Sequence, residues 1–563
     1  MSEQLNVLVI GAVACGPKAA SRLKRLMPQA QVTMIEKGDL ISYGACGLPY
    51  YVEGVFTDID ELVKTPVGVA RSAPFFEAIK GVKVLTGTEA LRIDREKRSV
   101  RVKALKTGKE QDLFYDKLVL ATGGSPMRPP IDGLDLGNVW FMTHPSDAES
   151  LDRAISKQGL KSVVLVGAGF IGMEMAEALS RRGLSVAMVE MMGQVMPGLL
   201  DADMAELAAK PLRQNGVEVF LGERVVGIDG NGKVSKVRTE RRTLGADAVV
   251  IAVGTRPNTQ LARDCGLQCG HGIIVNEYGQ TIDPDIYAGG DCAENRYVHP
   301  VMGGNLYVPL GSTANKNGRC IANHIAGMPT PSGGISCTSI VRVFDHTIGR
   351  TGMSEKQARS LGLPIETAIW AGPDMPHYMQ TANPLVIKMI ADRRDRKLLG
   401  VQVVGMGEGA RRLDVAAAVV LFGGSVDQVA DIDYAYAPPF SPPLDPLAVC
   451  AHLMMNKLDG IARGISAAAA KQRLEAGNVV LLDVRTPAEV AEVNLPYESV
   501  HIPLGALHGR LEELPRDRDI LAYCKVSMRG YEAQLILNAA GFDRVSFIEG
   551  GVVGWPYELL QSS

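Results

Sequence analysis

Hydrophobic residues in this chain gather into short, β-branched runs, several of which end on glycine. Residues 5–10 form one such run. It breaks at Gly11-Ala12-Val13-Ala14-Cys15-Gly16, and apolar positions then recur at helical spacing through Ala19, Ala20 and Leu23. The next run, 32–35, closes on Glu36. The same order returns later: 163–166, then Gly167-Ala168-Gly169-Phe170-Ile171-Gly172, a helix, and 185–189 closing on Glu190. Runs at 118–121 and 249–253 lead into Thr122-Gly123-Gly124 and Gly254, and 281–290 leads into Asp291. Further on, 479–482 closes on Asp483. The run 520–523 stops at Cys524 and feeds a helix through Ala533, Leu535 and Leu537. Strands alternating with helices predict an α/β fold.

Strand, glycine turn, helix, strand and terminal acid, within about 30 residues, is the Rossmann order. Gly11 and Gly16 permit a tight turn and close helix packing. The helix N-terminus then points its free N–H groups at a pyrophosphate. Glu36 is placed to accept a ribose hydroxyl, and Val13 stands where the middle glycine is expected. The second unit has all three glycines: Gly167, Gly169 and Gly172, around Phe170 and Ile171. Glu190 favours NADH over NADPH, because its charge repels a 2′-phosphate. Two such units suggest FAD in the first and NAD in the second. Ala121, Thr122 and Gly123, and Gly254, are strand-to-glycine turns flanking the second unit, and Asp291 can hold ribityl hydroxyls. Over residues 5–325 the set resembles the pyridine nucleotide-disulfide oxidoreductases.

Members of that superfamily that reduce disulfides usually carry two cysteines with four residues between them. Here Cys46 is followed by Gly47-Leu48-Pro49-Tyr50-Tyr51-Val52 and has no such partner. A single thiolate must take up an external sulfur as a mixed disulfide or persulfide, or be oxidised to a sulfenic acid. The pattern resembles the single-cysteine branch, which includes coenzyme A-disulfide reductase, NADH peroxidase and NADH oxidase. The peroxidases and oxidases typically carry a histidine in the first glycine turn, where this chain has Ala14 and Cys15.

The segment Asp433-Tyr434-Ala435-Tyr436-Ala437-Pro438-Pro439-Phe440 is similar to the Tyr-Ala-Pro-Pro segment of coenzyme A-disulfide reductases. The resemblance implies that Tyr436 comes from a partner subunit to lie beside the active cysteine, with Tyr378 as the second tyrosine. A phenol there can donate a proton to a leaving thiolate. It also implies that Lys18, Arg22, Arg25 and Ser42 help bind coenzyme A; three basic residues on one helical side are equally a solvated face. One departure stands out. Ala45 precedes the reactive cysteine where coenzyme A-disulfide reductases usually have asparagine.

Residues 464–563 resemble a rhodanese domain, through Asp483-Val484-Arg485, the Cys524-x4-Arg529 loop and the ending from Gly550-Gly551 to Trp555. A cysteine after a strand, with loop N–H groups and a helix N-terminus behind it, has its thiolate stabilised. The same donors hold a persulfide anion, and Arg529 adds positive charge. Phosphatases use a loop one residue longer.

Length then sets the expected division of the 563 residues. An FAD-binding domain spans 1–150 and 256–325, an NAD-binding domain 151–255, a dimerisation domain 326–458 and a rhodanese domain 464–563. The expected fold is α/β: two Rossmann-like dinucleotide-binding domains, an α+β dimerisation domain and a C-terminal α/β rhodanese domain. A net charge of −3 gives no reason to expect nucleic acid. No apolar run is long enough to span a membrane, and 1–6 lacks a leader pattern. Nine scattered cysteines suggest a reducing compartment, the cytoplasm, rather than disulfides, and no metal site is expected. The resemblance implies a homodimeric, NADH-dependent FAD enzyme whose active site is shared across the subunit interface. It would reduce coenzyme A persulfide, polysulfide or coenzyme A disulfide through Cys46, with the rhodanese domain handling sulfane sulfur. An NADH oxidase, a sulfurtransferase with a regulatory flavoprotein part, and a redox sensor remain alternatives.

Overall fold

The computed structural model describes residues 4–299 and 301–561; Met1–Glu3, part of the segment inspected for a leader, lie outside the described residues. The chain divides into two compact units. The first contains 1–167, 174–189 and 224–335, and the second 168–173, 190–223 and 336–563.

In the first unit a parallel sheet runs in the order Ile286–Ala288, Lys117–Leu120, Asn6–Ile10, Gln31–Ile35, Lys83–Leu85. Its register matters more than its order. Ile10 lies opposite both Ile35 and Leu120, and Leu120 opposite Ala288. Gly11, Glu36, Ala121 and the turn to Asp291 therefore leave the sheet along one edge, the carboxyl ends of the strands. That edge is where open α/β sheets bind ligands. The helix Cys15–Leu26 buries Cys15, Ala19, Ala20 and Leu23 against the sheet and packs on the helix Gly311–Ile325. Gly318 permits that approach, since a Cβ there would stand 2.5 Å from the carbonyl oxygen of Cys15. A second parallel group joins Val139–Trp140, Ala248–Ile251, Ser162–Val166 and Ser185–Glu190, with Val166 opposite both Val189 and Ile251. Both faces of these strands are covered, which is why they read as continuous apolar runs.

The second unit holds an antiparallel sheet and a parallel one. The antiparallel order is Ser339–Val343, His346–Gly352, Leu398–Gly405, Pro384–Asp392, Ile365–Pro373. Its core includes residues of the helices Ala410–Leu421 and Pro446–Leu458. The parallel sheet runs Gly464–Ile465, Val545–Ile548, Asp519–Tyr523, Val479–Asp483, Val500–His501. Cys524 leaves the third of these strands directly into the helix Met528–Ala539. The expected α/β architecture is thus the observed one: Rossmann-like parallel sheets first, then an antiparallel sheet backed by helices, then a C-terminal parallel sheet. Among the described residues no helix is long and apolar enough to cross a membrane.

Candidate active site

The first glycine turn packs backbone closely on backbone. Gly11 adopts φ +104°, and a Cβ there would meet the Ala121 carbonyl oxygen at 2.0 Å. A Cβ on Gly16 would meet the Gly11 carbonyl oxygen at 1.9 Å. Close packing of backbone on backbone therefore requires glycine at both positions. The helix Cys15–Leu26 has no side-chain N-cap bond and no acid in its first turn, so its N-terminal amides remain available to an anion. Gly123 (φ +66°) faces open space, whereas the Thr122 hydroxyl is spent on the Asn258 carbonyl at 2.7 Å. These features fit a dinucleotide pyrophosphate.

Glu36 does more than wait for a ribose. Its Oε2 accepts from the Ala12 amide at 2.9 Å and its Oε1 from the Gly38 amide at 2.9 Å. Glu190 repeats the arrangement in the second unit, accepting from Ala168 and Met192 at 2.8 Å each. Each acid fixes the turn it follows, leaving lone pairs for ribose hydroxyls. Gly167 (φ +103°) would drive a Cβ to 2.5 Å from the Ala252 carbonyl oxygen. Gly169 has nothing within 4 Å, so a cofactor can lie directly on its backbone. Phe170, Ile171 and Gly172 open the helix Phe170–Arg181, and Gly254 (φ +102°) turns the chain after Ala248–Ile251. Val13, in the first glycine turn, is half-buried.

Cys46 sits in the one-turn segment Ala45–Gly47 with an exposed thiol. The approach to it is tied to the flavin turn: Ser42, held at φ +52°, donates its amide to the Ala12 carbonyl at 2.7 Å. Behind it Leu48 and Pro49 are buried, and Gly47 fits tightly over Leu62. Partial loss of water, then the carboxylates of Glu174 and Asp291, push the Cys46 thiol up from its ordinary value. Glu174 was not singled out in the sequence; its only signal there is a charge inside the apolar helix 170–181. Burial pushes its carboxyl up to about 7, with Tyr50 hydrogen-bonded to it at 3.4 Å. Asp291 is also raised, by burial. It follows Gly290, whose amide is held by Asn317 at 3.1 Å.

The basic stripe divides. Arg22 is committed to Asn323 at 3.0 Å, so it is not simply a solvated side chain, while Lys18 is half-buried and Arg25 exposed. In the second unit Tyr436 and Tyr378 are 52% and 62% exposed, not the buried tyrosines of an ordinary core.

In the parallel sheet of the second unit, Cys524 is fully buried and its Sγ accepts from the Ser527 amide at 3.3 Å. Ser527 adopts φ +131°, and its hydroxyl accepts from the Gly550 amide at 2.7 Å. Arg529 shares its positive charge: both its terminal nitrogens bond Glu489 at 2.6 and 2.7 Å, and its guanidinium is raised by that bond and by Cys524 as well. Glu489 is aimed there by its capping box with Thr486. The Arg529 guanidinium holds the Glu489 carboxyl down at about 2. Loop amides, the helix N-terminus and Arg529 are then the donors for an anion on Cys524. Beneath the loop, Arg485 and Tyr523 both bond Asp483.

Comparison with known proteins gives three family matches: pyridine nucleotide-disulphide oxidoreductase over 5–306, its dimerisation domain over 338–447, and a rhodanese-like domain over 466–557. A solved NAD-dependent persulfide reductase from A. fulgidus is 40% identical, with TM-score 0.93, covering 98% of this chain and 100% of its own. The solved structure titled reduced Bacillus anthracis CoADR-RHD is 31% identical, with TM-score 0.91 and 98% of each chain covered. The NAD(P)H sulfur oxidoreductase (CoA-dependent) of Pyrococcus furiosus is 35% identical over 80% of this chain and 99% of its own length.

Proposed function

We propose, from the premise that this chain belongs to the pyridine nucleotide-disulphide oxidoreductase family, that it reduces persulfides, polysulfides or coenzyme A disulfide with electrons from NADH. The observation that carries this reading is Cys46, a single exposed thiol anchored through Ser42 to the first glycine turn. The residues present fit FAD. Gly11, Gly16, Gly123, Glu36 and Asp291 would hold it, and Gly167, Gly169, Phe170, Ile171 and Glu190 would hold NADH. Bound FAD supplies the two-electron relay between the nicotinamide and Cys46.

The protein's own residues carry the sulfur. The Cys46 thiolate attacks the outer sulfur of R–S–SH; a new S–S bond to Cys46 forms, the S–S bond of R–S–SH breaks and R–S⁻ leaves. A hydride equivalent from NADH then cleaves Cys46–S–SH, returning the Cys46 thiolate and H₂S. With coenzyme A disulfide the same two steps release two thiols. Tyr436 of the partner subunit protonates the leaving sulfur, with Tyr378 beside it. Lys18, Arg22, Arg25 and Ser42 receive coenzyme A, Arg22 exchanging its bond to Asn323. Cys524, backed by loop amides and Arg529, accepts sulfane sulfur for delivery. The homodimer this requires is supported by the surface around the Tyr-Ala-Pro-Pro segment. There a groove of about 700 Å³ is lined by Met375, Arg411, Val415, Pro439 and Phe440, and Phe422 is 84% exposed on the same unit. The cytoplasm, a reducing compartment, suits nine free cysteines.

The test is anaerobic NADH oxidation with coenzyme A persulfide, polysulfide or coenzyme A disulfide supplied separately. Wild type is compared with Cys46→Ser and Cys524→Ser. Sulfide or thiol release that vanishes in Cys46→Ser is the expected result. Rapid oxygen-dependent NADH consumption with no sulfur turnover would replace this reading with an oxidase. Transferase activity surviving alone in Cys46→Ser would favour the sulfurtransferase.

A further inference from the structure

The strand Ile365–Pro373 is an edge of its sheet, paired only with Pro384–Asp392. Edge strands leave alternate N–H and C=O groups without a ladder partner, and a buried edge must find other partners for them. Here two charged side chains meet that need. Glu549 accepts the Ile369 amide at 2.8 Å through Oε2. Lys457, at the end of the helix Pro446–Leu458, donates to the Thr367 carbonyl at 2.5 Å. The two side chains also bond each other, Lys457 to Glu549 Oε1, and Lys457 lies 3.3 Å from Glu366. Both are nearly sealed from solvent. A buried pair of this kind is weak evidence for stability in itself, because desolvation offsets most of the attraction. Its position is the informative part.

Glu549 immediately precedes Gly550-Gly551, and these two residues form the floor of the Cys524 loop. The Gly550 amide donates to Ser527 Oγ at 2.7 Å, and Ser527 supplies the amide that faces the Cys524 sulfur. Gly551 (φ +53°) passes so close that a Cβ would stand 2.3 Å from the Cys524 carbonyl oxygen. Val552 and Val553 donate to the Cys524 and Lys525 carbonyls at 3.0 Å each. A displacement of Glu549 is thereby passed to Ser527 and Cys524 within two or three residues.

We propose that Lys457 and Glu549 are positioning residues for the sulfur-carrying loop: their buried pair pins Gly550-Gly551 to the edge strand Ile365–Pro373 and so sets the amide cradle of Cys524. The inference rests on the reading of Cys524 as the sulfur carrier. It makes sulfur loading depend on a residue of the domain next door.

The experiment uses the full-length, FAD-loaded protein. Lys457→Met strands the Glu549 carboxylate, whereas Lys457→Met with Glu549→Gln removes both charges together and keeps an acceptor for Ile369. Should the single variant fail to accumulate, the double variant carries the test. Three quantities are measured: sulfur transfer from thiosulfate, the pH profile of Cys524 alkylation in a Cys46→Ser background, and NADH–ferricyanide reduction, which needs only the nucleotide sites. The expected result is a ten- to hundredfold loss of kcat/KM for transfer, on the order of that caused by a 1 Å misplacement. The alkylation profile shifts to higher pH, ferricyanide reduction is unchanged, and Lys457→Arg restores part of the loss. Transfer at the wild-type rate in the double variant would overturn the proposal. So would a loss matched, with an unmoved alkylation profile, by the rhodanese-core variant Leu537→Ala of equal thermal stability. Transfer that survives Cys524→Ala would instead refute the carrier reading on which the proposal stands.

Discussion

Glu174→Gln separates the contribution of burial from that of charge beside Cys46. The Glu174 carboxyl rises from 4.5 to about 7, and the largest cause is burial. At about 1.36 kcal/mol for each pH unit, its ionised form costs the folded protein at most about 3 kcal/mol, less where solvent reaches it. The folded value lies above the unfolded one. The penalty is therefore absent below pH 4.5, grows between pH 4.5 and about 7, and is complete above that. Glutamine keeps the shape and a hydrogen-bonding partner for Tyr50 but never ionises. The variant should thus unfold with the wild type near pH 4.5 and several degrees above it at pH 8. Thermal release of flavin fluorescence, followed across that range, reports the first unit. The same substitution removes the larger of the two carboxylate charges that raise the Cys46 thiol, so iodoacetamide should alkylate Cys46 at lower pH than in the wild type. A stability offset constant with pH, or an alkylation profile that does not move, would refute the reasoning.

Two glycines that look alike in the sequence should fail differently. Gly11→Ala, which sets a Cβ 2.0 Å from a carbonyl oxygen, should yield protein without flavin, whereas Gly169→Ala, facing open space, should keep flavin and lose NADH affinity, read by titration of the reduced-flavin spectrum. Glu190→Ala releases the amides of Ala168 and Met192 and should raise the NADH KM by about tenfold while narrowing the preference over NADPH, measured by steady-state kinetics with each cofactor. Glu489, held down at about 2, contributes stability that is present above its unfolded value of 4.5 and lost as pH falls towards 2. Glu489→Gln should remove that acid-sensitive part of rhodanese-domain unfolding, seen by near-ultraviolet circular dichroism, and leave the profile flatter.

The glycine turns were readable because their causes are local. A β-branched run, a residue forced to positive φ and an acid closing the next strand are all written within one segment, and the register of Ile10 with Ile35 and Leu120 follows from parallel pairing. Cys524 was readable for a similar reason, since the run 520–523 stops on it, whereas Cys46 was read from the lack of a second cysteine after it. What stayed hidden depends on which distant residues meet. Glu174 is one charge in an apolar helix, and nothing near it in the chain announces Tyr50 or Cys46 as a neighbour. Glu489 closes a capping box with Thr486, while its second task of holding Arg529 lies 40 residues away.

Lys388 shows the same limit in its strongest form. It interrupts the apolar strand Pro384–Asp392 and is 1% exposed. Asp203, Glu355 and Asp201 surround its ammonium at 2.8, 2.7 and 3.4 Å. Such a charge tolerates burial only because three carboxylates from two other segments converge on it. The Lys457–Glu549 pair obeys the same rule at the entrance to the rhodanese domain. In both places the charges sit where separately legible modules of the second unit abut, and they satisfy backbone or side-chain groups that an apolar contact would leave unpaired. Sequence pattern reports what each module must bury for itself. It is silent on what a module buries for its neighbour, and that is where the coupling between the chemistry of one domain and the geometry of the next is set.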